Sequence, residues 1–140
     1  MIENFKILAE FIKDISSETP NVQTYIFTKE NISKYILNID ITSKALKNNM
    51  VEINTLLKFE DTGINEKKSY FEIVHATIIR VIDDVKEKKD LEKIILCDVP
   101  NEIYPDLKKS FLNLVHDSGH PEVKLEKKVD FQKLYNEKFN

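Results

Sequence analysis

The stretch Val51-Glu52-Ile53-Asn54-Thr55-Leu56-Leu57-Lys58-Phe59 decides the fold class of this 140-residue chain, because apolar and polar residues alternate along most of it. Alternation with a period of two is the pattern of a β-strand that has one buried and one solvated face. The sequence Asp61-Thr62-Gly63 and the charged residues after it predict a hairpin loop. Residues 51–59 are therefore predicted to form one strand of an antiparallel sheet.

Three further stretches have strand patterns. Residues 5–15 and 33–42 alternate in the same way, and residues 69–79 are rich in β-branched and aromatic side chains. Pro20, which cannot donate a hydrogen bond to a sheet, lies in a polar cluster that predicts a loop after the first strand. The first half of the chain is therefore predicted to hold four strands, with short loops except between strands one and two.

The second half changes to helical spacing. Asp83 and Asp84 precede a stretch with apolar residues every three or four positions, which predicts a helix that begins near residue 84. Pro100 disfavours helix at the residue before it, although the helical spacing resumes beyond it. A long helix with a break or kink near residues 98–101 is therefore predicted, ending at Gly119.

A short last helix follows, with Asp130 as its cap. Strands followed by helices predict an α+β fold, in which helices pack on one face of an antiparallel sheet. The expected architecture is a four-stranded antiparallel sheet, a kinked long helix and a short C-terminal helix. A chain of 140 residues can bury its own core, so residues 1–140 are expected to form a single domain.

Composition excludes several classes of function. The only glycines are Gly63 and Gly119, too few for a glycine-rich phosphate-binding loop. The net charge is −3 and Arg80 is the only arginine, so nucleic acid is not an expected partner. Cys97 is the only cysteine, and neither a signal peptide nor a span of ~20 apolar residues is present. A soluble, cytoplasmic protein without membrane insertion is expected.

No catalytic or metal-binding constellation emerges. His116 and His120 lie four residues apart, but Gly119 interrupts the helix between them and no third ligand follows at a metal-site spacing. His75 lies in an apolar strand, where a core or interface residue is expected. Cys97 follows three apolar residues and is expected to be an inert, small hydrophobe. The expectation is a protein without catalytic residues, metal or cofactor.

Apolar residues occur where strands do not require them. Val22, Tyr25, Ile26 and Phe27 fall in the predicted loop between strands one and two, and the last helix adds Phe131, Leu134, Tyr135 and Phe139. They either complete the core or form a peptide groove or a subunit contact. The apolar positions of residues 94–115 also exceed what one face of a small sheet can cover, which predicts burial against another subunit.

Three blocks of sequence resemble the SecB family of protein-export chaperones. Residues Phe11-Ile12-Lys13-Asp14-Ile15-Ser16-Ser17-Glu18-Thr19-Pro20 resemble the strand-one signature of that family, an aromatic residue followed by x-K-D-[IL]-S-x-E-x-P. Pro100-Asn101 and Pro105 resemble its P-N-x-L-F-P element. Gly119-His120-Pro121 and the stretch from Val129 to Tyr135 resemble its G-x-[FP]-P and P-V-[ND]-F-x-x-L-[FY] endings. The blocks occur in the order of the family and cover nearly the whole chain.

The resemblance implies an ATP-independent holdase. Such a protein would form a homotetramer, a dimer of dimers, that binds unfolded preproteins in apolar grooves and delivers them to the SecA translocation motor. A holdase binds unfolded chains and so needs grooves rather than chemistry. Client binding is expected at Tyr25, Phe27, Phe131, Leu134 and Tyr135, because these residues are apolar where the strand pattern does not require it. The resemblance further implies contacts to SecA at Asp14, Glu18, Tyr70 and Glu72.

The sequence also departs from the family pattern. Asn31 replaces a common tryptophan, and Ala76-Thr77 replaces paired glycines, so a bend or bulge is expected to be missing there. The sequence ends at Asn140 without the acidic, glycine-containing tail that docks on SecA in the family. Two functions stay open: the export chaperone, and a SecB-like chaperone dedicated to a single partner such as an antitoxin.

Overall fold

The computed structural model describes residues 4–61, 68–82, 87–126 and 128–139. The strands and helices, in chain order, are β1 (Phe5–Ser17), α1 (Val22–Asn31), β2 (Ile36–Ala45), β3 (Met50–Glu60), β4 (Phe71–Val81), α2 (Lys88–Lys93), α3 (Val99–Asp117) and α4 (Phe131–Phe139). A 3₁₀ turn, Ile32–Lys34, precedes β2, and a π-helical segment, Ile94–Asp98, joins α2 to α3. The predicted α+β class, with four strands before the long helix and the short last helix, is confirmed.

The four strands form one antiparallel sheet in the order β1-β4-β3-β2. The hairpin between β2 and β3 turns at Asn48 and Asn49, which both have a φ of 60°. Asparagine tolerates this left-handed conformation better than most residues, and tight hairpins need it at both central positions. In the strand order given above, β1 pairs with β4, so the first and last strands of the sheet are neighbours. Alternation alone did not predict this pairing.

The strand bounds differ slightly from the predicted ones. The second strand begins at Ile36 rather than at residue 33, because the chain turns through Ile32–Lys34 first. The fourth begins at Phe71 rather than at residue 69. The predicted hairpin at residues 61–63 and the helix start near residue 84 lie largely outside the described residues.

The core lies between one face of the sheet and the helices. Ile53, Leu57 and Ile73 from β3 and β4 are fully buried, as are Phe111 and Val115 from α3. In β3 the alternation of buried and half-buried residues is complete, as the sequence predicted. This single apolar layer holds the helices on the sheet.

The segment after Pro20 is a helix, so its prediction as a loop was wrong. Asn21 caps α1, because its side-chain oxygen accepts a hydrogen bond from the Thr24 backbone N–H over 2.8 Å. The helix buries Thr24 and Thr28, whereas Val22 is 66% exposed. The Thr28 hydroxyl accepts a hydrogen bond from the backbone N–H of Ser69 over 3.0 Å. Hydrogen bonding to the buried backbone thus decides which face of α1 turns inward.

The long helical region contains a π-helical segment instead of a break at residues 98–101. The Val99 N–H donates to the Ile94 carbonyl, a bond that spans five residues. The backbone at Asp98 and Val99 remains right-handed helical, and Pro100 falls in the first turn of α3, where a missing N–H costs little. The irregularity therefore lies just before the proline.

Strand β1 forms one edge of the sheet and carries two bulges. Its register with β4 shifts between Ile7 and Ala9 and between Ile12 and Asp14. The two shifts flank Ala76 and Thr77, so the sheet has its bulges on β1, opposite the positions where a bulge was expected to be missing. Bulges also disturb the flat edge that would otherwise recruit further strands.

The exposed apolar surface lies elsewhere than the sequence predicted. Residues 94–115, expected to need a second subunit, bury most of their apolar side chains within the chain itself. The large exposed hydrophobic residues lie mainly on β1 and α1 instead, namely Leu8, Phe11, Ile12, Ile15, Val22 and Ile26. The apolar surface that another subunit could bury therefore lies mainly on β1 and α1 rather than on the long helix.

Candidate functional site

A groove of about 1070 Å³ runs between strand β2 and the chain that links α3 to α4. One side consists of consecutive β2 residues, Ile36–Ile39, and the other of residues 122–126 and 128–130, which we name the wall. Since four consecutive residues border the groove, it follows the edge of the strand rather than one face of the sheet. Its apolar lining is Ile32, Ile36, Leu37, Ile39, Phe59, Val123, Leu125, Val129 and Leu134.

A second cavity, of about 210 Å³, continues along β2 beneath α4. Ile39 and Leu134 line both cavities, so the two form one continuous path along the strand. Helix α4 is capped by Asp130, which accepts a hydrogen bond from the Lys133 backbone N–H over 3.0 Å. The predicted cap is confirmed, and it sets the start of the helix that covers one end of the path.

The rim of the groove carries charges of both signs. Glu122, Glu126, Asp130 and Glu137 alternate with Lys124, Lys128 and Lys133 along the wall and α4. Mixed charges on an apolar lining favour an apolar occupant without a strong preference for either sign of charge.

The wall is attached to the end of α3. The His116 side chain contacts the Val123 carbonyl oxygen through Nε2 over 2.7 Å, and the Val123 N–H donates to the His120 carbonyl oxygen over 3.2 Å. Helix α3 ends in a Schellman motif: the His120 N–H donates to the Val115 carbonyl and the Gly119 N–H to that of His116. Gly119 has a φ of +103°, which confirms the predicted left-handed cap.

The structure divides the expected client-binding residues into two groups. Leu134, Tyr135 and Phe131 line the path along β2, with Leu134 45% exposed and Phe131 buried against Tyr104. Tyr25 and Phe27 lie on α1 and do not line it. Sequence reasoning missed the β2 edge and the wall, although Val123 and Leu125 alternate with charged residues in the pattern of an extended segment.

The residues expected to contact SecA lie at one end of the sheet. Asp14 pairs with Val74 and Ser16 with Glu72, so the two carboxylates occupy the face of the sheet opposite the helices. Lys58 of β3 pairs with Glu72 on that face, and its amine lies 5.9 Å from the centre of the Tyr70 ring. Glu18 is exposed beyond the end of β1. We name Asp14, Glu18 and Glu72 the acidic group. Lys58 lies beside Glu72 in this group, which sequence reasoning did not predict.

A second charged contact crosses the same face. The Lys13 amine binds the Glu52 carboxylate of β3 over 2.5 Å, and Asn54 donates to that carboxylate over 2.9 Å. These hydrogen bonds hold the pKa of Glu52 below its usual range. Lys13 therefore spans β4, which lies between the two strands.

The three histidines have separate environments. Within the described part of the chain, no group of three or more histidine, cysteine or acidic side chains could hold a metal ion. His75 is buried beside Glu10, with 3.3 Å between Nε2 and the carboxylate, and burial lowers the pKa of the imidazole despite that contact. Burial likewise lowers the pKa of His120. The Schellman turn at Gly119 separates His116 from His120, which confirms the predicted interruption of the helix between them.

Cys97 lies in the π-helical segment, beneath α4. Its thiol donates a hydrogen bond to the Gln132 side chain over 3.3 Å, and burial raises the pKa of the thiol. A raised pKa keeps the thiol protonated and unreactive. Its surroundings fit the expected role as a small hydrophobe that packs α4 against the core.

The fold belongs to a known class of protein. A solved structure of a SecB-like chaperone from Mycobacterium tuberculosis, in complex with a ChAD peptide from an antitoxin, resembles it with a TM-score of 0.64. The likeness covers 90% of this chain and 88% of the other one, at 10% sequence identity, and therefore concerns the fold alone.

The sequence comparisons identify the family. The family described as preprotein translocase subunit SecB matches residues 2–140. A Pelagibacter ubique protein assigned as protein-export protein SecB is 57% identical over 140 residues, which is 100% of both chains. The protein-export protein SecB of Rhodopseudomonas palustris (strain BisA53) is 25% identical over 94% of this chain and 80% of its own length.

The chain therefore belongs to the SecB family and is a chaperone of protein export. No helix in the described residues combines the length and apolar character needed to cross a membrane.

Proposed function

We propose that the chain is an ATP-independent holdase that binds unfolded preproteins along β2 and delivers them to SecA in the cytoplasm. One observation carries the proposal: the continuous apolar path between the β2 edge, the wall and α4. Small-molecule sites are clefts or cavities of about 300–1,000 Å³ that bury most of the surface of the ligand. A larger path that follows an open strand edge fits an extended polypeptide better than a compact ligand.

The client surface centres on Leu134, because this exposed apolar residue is common to both cavities. We expect Leu134→Lys to weaken the binding of an unfolded client by about thirtyfold, corresponding to the ~2 kcal/mol typical of an anchor residue. Asn136→Lys adds the same charge on an exposed position of α4 outside the path and serves as the control. Calorimetric titration with a reduced, unfolded protein measures both, and equal affinities for the two variants would contradict the proposed site.

The client surface extends to α1 in our proposal, through Tyr25 and Phe27. Both are half-buried, and a long client that leaves the groove could reach them on the same molecule or on a neighbouring one. Phe27→Ala should therefore weaken the binding of long clients and leave the binding of short peptides unchanged. Loss of the fold together with binding would instead show that Phe27 belongs to the core.

Delivery uses the acidic group on the open face of the sheet, Asp14, Glu18 and Glu72, with Tyr70 beside it. These side chains are on or next to two neighbouring strands and so can meet one basic surface. We further propose a homotetramer, built as a dimer of dimers. The exposed apolar residues of β1 and α1 support this assembly, because another subunit could cover the large apolar side chains that these two elements leave in water.

A further inference from the structure

His120 occupies a buried site where three parts of the fold meet. Its ring stacks on Tyr25 of α1 with 5.3 Å between the ring centres. It also makes a T-shaped contact with the Phe71 ring of β4, with 5.7 Å between the ring centres. Its backbone belongs to the Schellman turn after α3. The residue is 0% exposed, so the imidazole is entirely enclosed.

The imidazole is enclosed without a hydrogen-bond partner. Neither ring nitrogen makes a hydrogen bond to any residue that the structure describes. The nearest carboxylate oxygen, of Glu122, lies 3.9 Å from Nδ1, beyond hydrogen-bonding distance. A buried polar side chain in a native fold is normally hydrogen-bonded, so an exception calls for an explanation.

The charged groups around the ring act in opposite directions. Glu122, on the same segment, favours the protonated imidazole, whereas Lys29 of α1 opposes it. Helix α1 otherwise presents the Tyr25 ring, and β4 presents the uncharged Phe71 ring. On the α3 side, His116 is engaged with the Val123 carbonyl oxygen. Burial outweighs the attraction of Glu122, and the neutral ring is the form that fits.

His120 is also the point from which the wall starts. Glu122 and Val123 are the first wall residues to line the groove, and the Val123 N–H is bound to the His120 carbonyl oxygen. A displacement of His120 would therefore move Val123 and the wall with it. The same displacement would remove the surface on which Tyr25 stacks.

We propose that His120 positions the wall of the client groove, and that protonation of its imidazole releases the wall and weakens client binding. This inference rests on the proposed function of the groove. A charged imidazole is disfavoured in this buried site, because Glu122 is too distant for a hydrogen bond and its attraction does not offset the cost of burying the charge. Leaving the site lets the ring reach water and the Glu122 carboxylate, which is 46% exposed.

The direction of the pH effect follows from linkage. The pKa of His120 is lowered from its ordinary value of 6.5 while the wall is in place, so the closed wall binds fewer protons than the released one. The wall is thus most firmly held above pH 6.5, and the hold weakens as the pH falls below that value. The released fraction should rise about tenfold for each pKa unit between the two states.

Amide hydrogen exchange tests the inference without a client. We expect the protection factor of the Val123 amide, which donates to the His120 carbonyl oxygen, to fall between pH 7.5 and pH 5.5 in the wild-type protein, after correction for intrinsic exchange rates. His120→Phe keeps an aromatic ring that cannot be protonated, and its protection should not change with pH. His75→Gln removes the other buried histidine and should keep the wild-type pH response, as a control for general acid destabilisation.

Client affinity gives the second measurement. A client peptide without titratable groups should bind the wild-type protein several-fold more weakly at pH 5.5 than at pH 7.5, and bind His120→Phe equally at both. Protection or affinity that is independent of pH in the wild type, or that falls equally in His120→Phe, would overturn the inference. Absence of client binding at pH 7.5 would instead contradict the proposed function, while the exchange measurement would still judge the role of His120.

If His120→Phe does not fold, the wild-type protein alone decides the matter. The imidazole of His120 titrates in an NMR experiment, and its midpoint should coincide with the midpoint at which the wall loses protection. Separate midpoints would overturn the inference.

Discussion

The Tyr25 hydroxyl donates a hydrogen bond to the Gly119 carbonyl oxygen over 2.9 Å, across 94 positions of sequence. A Cβ atom added at Gly119 would lie 2.6 Å from Cε1 of the same tyrosine ring. Gly119 thus meets two demands, the left-handed turn after α3 and the close approach of α1. One aromatic side chain ties the helix between β1 and β2 to the start of the groove wall.

Gly119→Ala should therefore destabilise the protein by more than the turn conformation alone requires. The positive φ costs about 1 kcal/mol for a residue with a side chain, and displacement of Tyr25 adds to it. We expect a free energy of unfolding lower by about 2 kcal/mol, measured by urea denaturation. Ser110→Ala, at an exposed position of α3, is the control and should have little effect. Equal stabilities for the two variants would mean that Tyr25 is not held by Gly119.

Glu10→Gln should lower the pKa of His75 further. Burial lowers this pKa, while the charge of Glu10 and its contact with the imidazole raise it. Without the carboxylate only the lowering effect remains, so stability should decline more steeply as the pH falls below 6.5. NMR titration of the histidines measures the change. The pKa of His120 should not change. A His75 pKa that rises or stays constant would contradict the claim that Glu10 raises it.

Binding to SecA should depend on salt and on the sign of charge at the open sheet face. Attraction between charged surfaces is screened over a Debye length of ~10 Å at 0.1 M salt. Asp14→Lys should weaken binding, whereas Lys58→Glu should strengthen it, because Lys58 lies opposite Glu72 in the sheet register and its positive charge reduces the negative potential of the acidic group. Both effects should shrink at 0.5 M salt in a calorimetric titration. Binding that responds to neither substitution would exclude this face.

The chain should sediment as a tetramer of 16.4 kDa subunits at micromolar concentration. Phe11→Asp places a charge among the exposed apolar residues of β1 and should produce smaller species with an unchanged circular dichroism spectrum. Thr42→Asp, exposed on the other edge strand, is the matched control. A wild-type protein that remains monomeric would contradict the assembly and the use of β1 as an interface.

Alternation along the sequence predicted three of the four strands because each residue of a strand points to one of two faces, and β-branched and aromatic residues predicted the fourth. It could not predict which strands are neighbours, since the pairing of β1 with β4 depends on the tertiary fold. Helix α1 was missed for a different reason. Its buried positions are the threonines Thr24 and Thr28, while Val22 and Ile26 face outward, so the usual apolar stripe is absent.

The sequence predicted the α4 side of the candidate site but not the β2 edge. Leu134 and its neighbours on α4 stood out as apolar residues in a helix at the end of the chain. The β2 edge did not, because an edge is a property of the assembled sheet. Asn21, with a threonine three positions later, was the available signal for the start of α1, since asparagine is a favoured helix cap.

The pairing of β1 with β4 has a consequence for folding during synthesis on the ribosome. Ser17 pairs with Phe71, and Phe5 with Val81, so β1 leaves the ribosome without its partner and gains it only when β4 follows. At a synthesis rate of roughly 5–20 residues per second, β1 waits for several seconds with Phe5 and Ile7, which pack against the core in the folded chain, still in water. A protein that we propose guards the unfolded chains of others thus spends its own first moments as a chain of that kind.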